Sequence, residues 1–327
     1  MGSLNLGLVA ALLVFWVVLT GAVAVRPSAN PYRVGVLIFR PPFHLALDGL
    51  REGLAQLGYR EAENLAFVVE DARGDLPSLA GRAAKIVQAK PDVMFTIGTA
   101  PTAAAKQATT TLPIVFTFVA DPLRSGLIAS YASSQNNLTG ITNSAAPLSG
   151  KRLELLQEIA PGIKHVLVLV APQESVSEVS FKFLAEVAPK LGIELLRRDV
   201  TSRAEIEQGL QALPKGTIDA IYHIPSALVG THIDLLIQRA IEERVPLSVH
   251  EDAMVAQGAL ISYGADIRLL GVQAAKLVAK ILTGAKPSEI PVQTAEKLTL
   301  VINLSTAKAI GLDIPRTILE RTDRFVE

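Results

Sequence analysis

The chain has 327 residues, of which 50% are hydrophobic, 19% charged and 5% aromatic. This composition supports a large core and excludes a disordered or low-complexity protein, and the length favours two domains over one. Lys and Arg total 31, as do Asp and Glu, and this balance excludes the basic surface that a nucleic-acid partner requires.

The N-terminal segment has the pattern of an export signal. Leu8–Leu19 is an unbroken apolar run, and Ala22-Val23-Ala24 is a small-x-small motif, so we predict a signal peptide over residues 1–24. Leu4–Val25 is also long enough to span a bilayer as an uncleaved anchor. Either outcome places the body outside the cytoplasmic membrane, in a periplasm. Because the chain has no cysteine, disulfides and a cysteine-linked lipid anchor are excluded.

From Tyr32 onwards, short apolar runs alternate with longer amphipathic segments. The runs predict strands buried on both faces at Arg33–Phe39, Leu65–Val69, Val93–Ile97, Ile114–Val119, Val166–Val170, Glu194–Arg197, Ile218–His223, Leu247–His250, Leu260–Tyr263 and Leu298–Ile302. Apolar residues three and four apart predict helices at Leu45–Leu57, Leu79–Ala89, Lys151–Ile159, Val176–Leu191, Ala204–Leu213, Ile233–Glu243 and Arg268–Leu282. The alternation predicts right-handed βαβ units and therefore an α/β fold.

Two polar segments indicate that the strands divide between two lobes. Asn136–Asn143 is a turn-rich break that predicts a crossing between lobes, and Val249–Asp252 predicts the return. We therefore expect lobe 1 to contain residues 31–143 and 255–290, and lobe 2 residues 144–254, with residues 291–327 unassigned. The alternative is one large sheet in which both segments are surface loops.

Signatures of enzymes are missing from the sequence. There is no G-x-S-x-G elbow and no cysteine nucleophile, and no G-x-G-x-x-G follows the first strand. Ser149–Lys151 resembles the end of a P-loop, but Ala145 stands where the leading glycine is needed. His250-Glu251-Asp252 is the one cluster suited to a metal or to acid–base chemistry, and because adjacent side chains diverge, we favour a hinge or ligand hydrogen bonding there. We expect no metal, no cofactor and no catalysis.

Polar or small residues follow the predicted strands of lobe 1, where open α/β sheets bind ligands. They are Arg40, Phe43, His44, Thr99, Ala100, Asp121 and Asn143. Arg40 is suited to pairing with a carboxylate, Phe43 to stacking, and the helix that begins near Thr99 to holding an anion. Packing of Phe43 on the next helix and simple helix capping by Thr99 or Asp121 remain alternatives.

Lobe 2 presents a corresponding set at its strand ends. The candidate ligand-binding residues are Glu174, Ser175, Pro225, Ser226 and Glu251, and a further candidate, Tyr263, ends the strand that is predicted to return to lobe 1. Ser175 is equally suited to capping a helix, and Tyr263 to core packing. The two sets are expected to face each other across one cleft.

Several blocks of the chain, in a fixed order, resemble the ABC transporter substrate-binding protein family, which includes tryptophan- and tyrosine-binding members. The blocks are Gly98–Thr109, Pro113–Phe116, Asp121-Pro122, Asn137–Gly140, Leu148–Leu156, Ser262–Gly264, Ile281–Pro287 and Val301–Leu304. The resemblance covers about residues 32–320. It implies a periplasmic binding protein of type I, with two Rossmann-like lobes joined by three crossings, that delivers its ligand to a membrane permease powered by a separate ATPase.

The resemblance also implies site residues, and it fails in part. Thr99 and Ala100 fall on the family's ligand loop and Asp121 on its V-x-D-P loop, whereas Ala171–Ser177 departs from the Asn-Pro-x-Glu-x-Asn-Ser type of segment. Ala227-Leu228 stands where amino-acid-binding members have an Asp-Asn pair. Because a buried α-amino group needs acceptors, this loss favours an aromatic or aliphatic carboxylate, anchored by Arg40 and the helix start at Thr99, over a free amino acid.

The function predicted from the sequence is capture of a small molecule by the extracytoplasmic subunit of an ABC importer. The subunit is expected to be a monomer, and its partner an ABC permease in the cytoplasmic membrane. The alternatives are a periplasmic receptor that reports the ligand to a membrane signalling partner, and an exported α/β enzyme.

Overall fold

A computed structural model describes residues 31–327. Its strands are β1 Tyr32–Ile38, β2 Leu65–Asp71, β3 Val93–Ile97, β4 Ile114–Val119, β5 Leu138–Thr142, β6 His165–Val170, β7 Glu194–Asp199, β8 Ala220–Tyr222, β9 Leu247–Val249, β10 Ile261–Ala265, β11 Gln293–Thr294, β12 Leu298–Asn303 and β13 Arg324–Val326. Its helices are α1 His44–Gln56, α2 Leu79–Gln88, α3 Thr99–Ala108, α4 Ser149–Ile159, α5 Ser175–Val187, α6 Arg203–Gln211, α7 Ala227–Thr231, α8 Ile233–Glu243, α9 Asp252–Ala256, α10 Ile267–Leu282, α11 Leu304–Ile310 and α12 Arg316–Leu319. The predicted signal peptide lies outside the described residues.

Within residues 31–327 the strands form two sheets, one in each lobe. Sheet 1 has the order β11-β5-β4-β3-β1-β2, and sheet 2 the order β13-β12-β10-β9-β8-β6-β7. The neighbours pair in parallel except β10 and β12, which are antiparallel. The two-lobed α/β fold predicted from the sequence is confirmed, and a single large sheet is excluded.

The strands of sheet 1 are buried because helices cover them. Val36, Phe95 and Phe116 have no exposed surface, as expected for parallel strands between helical layers. Helices α2 and α3 contact these strands, as does α10, which also packs along α1. The α1–α10 crossing is close because glycines form it: a Cβ on Gly49 would lie 2.0 Å from the carbonyl oxygen of Arg268.

The chain crosses between the lobes three times, as the family resemblance implies. The crossings lie between β5 and α4, between β10 and α10, and between β11 and β12. Among the residues from 31 onwards, no helix is both long and apolar enough to traverse a bilayer.

The two polar segments predicted to be crossings differ in outcome. Asn136–Asn143 itself contains β5, and the chain crosses to lobe 2 just after it, between β5 and α4. The side-chain amide of Asn137 donates to the carbonyl oxygens of Thr109 and Leu112, which satisfies this polar residue at the start of the strand. Val249–Asp252 is not a return, because β10 pairs in parallel with β9.

The hydrogen bonding also divides the two C-terminal segments differently from the prediction. Residues 255–265 stay with sheet 2, and lobe 1 is regained only at α10. The unassigned segment 291–327 is shared, because β11 pairs with β5 whereas β12 and β13 extend sheet 2.

Candidate ligand-binding cleft

A cavity of ≈ 440 Å³ lies between the lobes at the carboxyl ends of both sets of parallel strands. Lobe 1 contributes residues that follow β1, β3 and β5 together with the end of β4, and lobe 2 contributes residues that follow β6, β8 and β9. Loops at strand ends converge there because parallel strands present all their carboxyl ends at one edge. The cavity has the size of a small organic ligand's site.

Most of the predicted ligand-binding residues line this cavity. They are Arg40, Phe43, Thr99, Ala100, Asn143, Glu174, Ser175, Pro225, Ser226 and Glu251. The structure places the three others elsewhere. His44 lies 3.2 Å from Asp71, Asp121 accepts a hydrogen bond from the amide of Arg124, and Tyr263 packs against the core of lobe 2.

Phe43 and Phe118 form the aromatic wall of the cavity, with ring centroids 5.2 Å apart. Gly98 makes room for Phe43: it has φ +99°, and a Cβ there would lie 3.1 Å from Cε2 of Phe43. Phe118 has φ +57°, which is costly for a bulky residue, at a register shift between β4 and β5. This bulge makes Phe118 part of the cavity wall. Sequence reasoning missed Phe118 because the run Ile114–Val119 is typical of an ordinary buried strand.

Two helices begin at the cavity, one from each lobe. α3 begins at Thr99 and α5 at Ser175, and both residues line the cavity. The first amides of a helix have no intrahelical acceptor, so they and the positive end of the helix dipole favour an anion. The Thr99 hydroxyl accepts a long hydrogen bond of 3.4 Å from the amide of Ala120, and Asn143 lies on the same wall.

Glu174 is engaged within lobe 2. Its carboxylate accepts hydrogen bonds from the amides of Ala227 and Leu228 at 2.7 and 2.8 Å, so it caps α7. The Ser226 hydroxyl completes the cap by accepting from the amide of Val229. Burial raises the pKa of Glu174, and these hydrogen bonds oppose the rise. Glu174 and Ser226 therefore shape the cavity wall by holding α7.

Arg40 and Glu251 pair with each other across the cleft. One guanidinium nitrogen, Nη2, donates to both carboxylate oxygens at 2.7 and 2.9 Å, and Nη1 donates to the carbonyl oxygen of Pro41. The residues are 7% and 2% exposed. Burial raises the pKa of Glu251, and Arg40 opposes the rise. The predicted pairing of Arg40 with a ligand carboxylate is therefore not what the structure shows, since Glu251 occupies that position.

Two buried histidines stand behind the aromatic wall. His250 stacks on His223 at 5.2 Å between centroids and on Phe118 at 6.2 Å. Within the described part of the chain, no group hydrogen-bonds to either ring nitrogen of His223 or to Nδ1 of His250. Burial lowers the pKa of His223 to about 3, with Arg40 and Arg152 adding to the effect. Burial, and next His223, lowers the pKa of His250 well below its usual range. Both rings are neutral near pH 7.

The cluster His250-Glu251-Asp252 does not converge on one point. Glu251 pairs with Arg40, and Asp252 pairs with Arg324 at 2.5 Å. Over residues 31–327, no three His, Asp or Glu side chains are grouped so that they could hold a metal ion. His250 lines the cavity but was not among the predicted site residues, because the sequence places it inside the predicted strand Leu247–His250 and only Glu251 after it.

Comparison with known proteins gives one family and several structural relatives. The model of a family described as ABC transporter substrate binding protein matches residues 33–326. A protein of Clostridioides difficile named tyrosine-binding protein is 28% identical over 287 residues, which are 87% of this chain and 82% of that protein.

Solved structures share the fold. A conserved domain protein from Vibrio cholerae superposes with a TM-score of 0.84 at 31% identity, covering 91% of this chain and all (100%) of that one. An ABC domain from Streptococcus pneumonia in complex with L-Trp superposes with a TM-score of 0.84 at 24% identity, covering 91% of this chain and 100% of that one. The ligand-free, open structure of a Clostridium difficile substrate-binding protein with adhesive properties superposes with a TM-score of 0.67 at 28% identity, covering 90% of this chain and 99% of that one.

Proposed function

Because the chain belongs to the ABC transporter substrate-binding protein family, we propose that it is the solute-binding subunit of an ABC importer. It works outside the cytoplasmic membrane, in a periplasm, as a monomer that captures a small organic molecule and presents it to a permease. The observation that carries this proposal is the cavity of ≈ 440 Å³ to which both lobes contribute strand-end residues. A ligand held by both lobes stabilises their closed arrangement, which is binding without reaction.

The arrangement of the lobes is consistent with a closed form. Arg40 of lobe 1 and Glu251 of lobe 2 are in direct contact and shielded from water. The TM-score of 0.67 with the open, ligand-free relative is lower than the 0.84 with the Vibrio cholerae protein, although both cover about the same share of the chain. Such a difference at similar coverage is expected when the lobes are rotated against each other.

The cavity walls favour an aromatic or aliphatic body with a carboxylate. Phe43 and Phe118 provide an apolar wall, and the amides at the start of α3, beside Asn143, provide the anion site. The relative named for tyrosine supports an aromatic ligand.

A free amino acid is disfavoured because its ammonium group would meet no acidic side chain that lacks another partner. The acidic side chains on the wall are Glu174 and Glu251, among the residues the structure describes. The carboxylate of Glu174 already accepts hydrogen bonds from the amides of α7, and that of Glu251 accepts hydrogen bonds from Arg40. Burying an ammonium group without an acceptor costs several kcal/mol, on the order that separates a good ligand from a non-binder.

A thermal-shift screen tests the function. Aromatic amino acids, their deaminated carboxylates, the corresponding amines and aliphatic acids are compared, because a tight ligand raises the unfolding midpoint by mass action. The carboxylates without an amino group are expected to give the largest rise, and Phe118→Ala, which removes the aromatic wall, is expected to reduce it. A screen in which no organic acid shifts the midpoint would contradict the proposal.

A further inference from the structure

We propose that Arg40 and Glu251, on the cavity wall, form an interlobe clasp, a pair of positioning residues that holds the cavity closed. For its effect on affinity this inference rests on the proposed function, but the clasp itself is a property of the ligand-free chain. Arg40 follows β1 in lobe 1 and Glu251 follows β9 in lobe 2, so their hydrogen bonds exist only while the lobes are together.

The geometry leaves these two side chains little capacity for a ligand. Both carboxylate oxygens of Glu251 accept from Nη2 of Arg40, and Nη1 of Arg40 donates to Pro41. Nε of Arg40 is buried and has no acceptor among residues 31–327. The guanidinium also lies 4.9 Å from the centroid of the Phe43 ring, which fixes its plane.

Lobe 2 is shaped to receive the guanidinium. A Cβ on Gly230, in α7, would lie 3.0 Å from Nη2 of Arg40, so a side chain at this position would crowd the clasp. Further contacts set the same closed position: Phe118 stacks on His250, and Arg124 of lobe 1 lies 4.1 Å from the ring centroid of Phe183 in α5.

The charges around the clasp make Glu251 necessary for closure. Burial, reinforced by Arg40 and Arg152, lowers the pKa of His223 and His250, which stay neutral and supply no charge of their own. Asp252 is the other acidic group beside Glu251, and it pairs with Arg324. Without the Glu251 carboxylate, Arg40 would be a buried cation with no counter-charge in the closed form, whereas separation of the lobes returns it to water. Loss of the carboxylate therefore shifts the lobes towards the open form.

The experiment measures the distance between the lobes without ligand. Because the chain has no cysteine, the exposed positions Lys85 on α2 and Gln208 on α6 can be changed to cysteine and labelled with a fluorophore pair for single-molecule energy transfer. The unliganded protein is expected to show a closed population that Glu251→Gln reduces at least about tenfold relative to the open one, and the apparent affinity falls in proportion to the closed fraction. Arg40→Lys, which keeps the charge but loses the hydrogen bond from Nη1 to Pro41, is expected to reduce the closed population less.

Two further variants separate a clasp from a general loss of structure. Glu243 is 3% exposed at its side chain and pairs with Arg239 at 3.0 Å within α8, so Glu243→Gln is a matched buried control inside one lobe that is expected to leave the distance unchanged. The double variant Arg40→Gln with Glu251→Gln removes the unpaired charge and is expected to recover part of the closed population.

The outcomes for the clasp and for the proposed function are distinct. An unchanged lobe distance in Glu251→Gln, or a double variant no more closed than the single one, overturns the clasp even if ligands bind. Failure of every organic acid to bind overturns the proposed function even if the clasp variants behave as stated.

Discussion

The imidazole rings of His223 and His250 stack 16° from parallel at the ends of the neighbouring strands β8 and β9. They are 1% and 5% exposed and lie near two buried arginines, so protonating His223, whose ring nitrogens have no partner among residues 31–327, would add a cation that nothing solvates. His250 differs, because its Nε2 lies 3.4 Å from a carboxylate oxygen of Glu251. The stack therefore connects the stability of lobe 2 to pH.

We predict that the protein loses stability as the pH falls below about 6.5. The unfolded chain binds a proton at His223 near that pH, whereas the folded chain does so only near about 3. The contribution of His223 is therefore fully present above pH 6.5 and is lost as the pH falls towards 3, by roughly 2 kcal/mol at pH 5. Denaturant unfolding at pH 7 and pH 5 measures it. His223→Gln should flatten the dependence, and His44→Gln, at a half-exposed surface position, should not; equal slopes in all three proteins would contradict the assignment.

Gly98 and Gly284 both have φ +99°, which makes them a matched pair. Gly98→Ala places a Cβ 3.1 Å from Phe43, whereas Gly284→Ala meets nothing within 4 Å. Both should lose about 1 kcal/mol of stability from backbone strain. Only Gly98→Ala should also weaken ligand binding, by about tenfold, because Phe43 must move. Unfolding curves measure the loss of stability from backbone strain, and calorimetric titrations measure the loss of ligand affinity from displacement of Phe43. Equal affinities of Gly98→Ala and Gly284→Ala would show that Phe43 is not part of the site.

Glu174 acts through α7 rather than on the ligand. Glu174→Ala leaves the amides of Ala227 and Leu228 without their acceptor and should cost about 1–2 kcal/mol of stability together with affinity. Glu174→Gln keeps one acceptor oxygen and should lose less of both. If Glu174→Ala weakened binding with full stability, Glu174 would instead be a direct ligand contact.

Asn143→Ala and Asp121→Ala should differ in their effect on ligand affinity. Asn143 lines the cavity and its Oδ1 accepts from the amide of Ala145, so Asn143→Ala is expected to weaken binding several-fold and to cost about 1 kcal/mol of stability. Asp121 does not line the cavity, and its carboxylate accepts a hydrogen bond of 2.9 Å from the amide of Arg124. Asp121→Ala should therefore cost about 1 kcal/mol of stability and leave the affinity for ligand intact. Titration of both variants measures this contrast, and the reverse result would return Asp121 to the site.

The alternation of apolar runs and amphipathic segments is sufficient to predict two parallel-sheet lobes, because both faces of each strand must be covered. It is not sufficient for strands whose ends are polar. The sequence does not indicate β5 as a strand, because Asn136 and Asn137 directly precede it and are typical of a loop. In the structure their side-chain amides donate to backbone carbonyls of neighbouring loops. The return to lobe 1 was placed too early because the pairing of β10 with β9 is a long-range choice that no local pattern encodes.

The cavity follows from topology, and most of its residues were therefore predictable as strand-end residues. The partners of those residues were not. Arg40 and Glu251 are 211 positions apart, and only the folded chain shows that they bind each other. Phe118 enters the wall through a bulge with positive φ, which its sequence, typical of a buried strand, gives no reason to expect.

Calorimetric titration of the purified protein with L-tyrosine and with 3-(4-hydroxyphenyl)propionate compares two ligands that differ only in the amino group. We expect the propionate to bind at least about tenfold more tightly, because both acidic side chains on the cavity wall are engaged. Tighter binding of L-tyrosine would contradict this expectation.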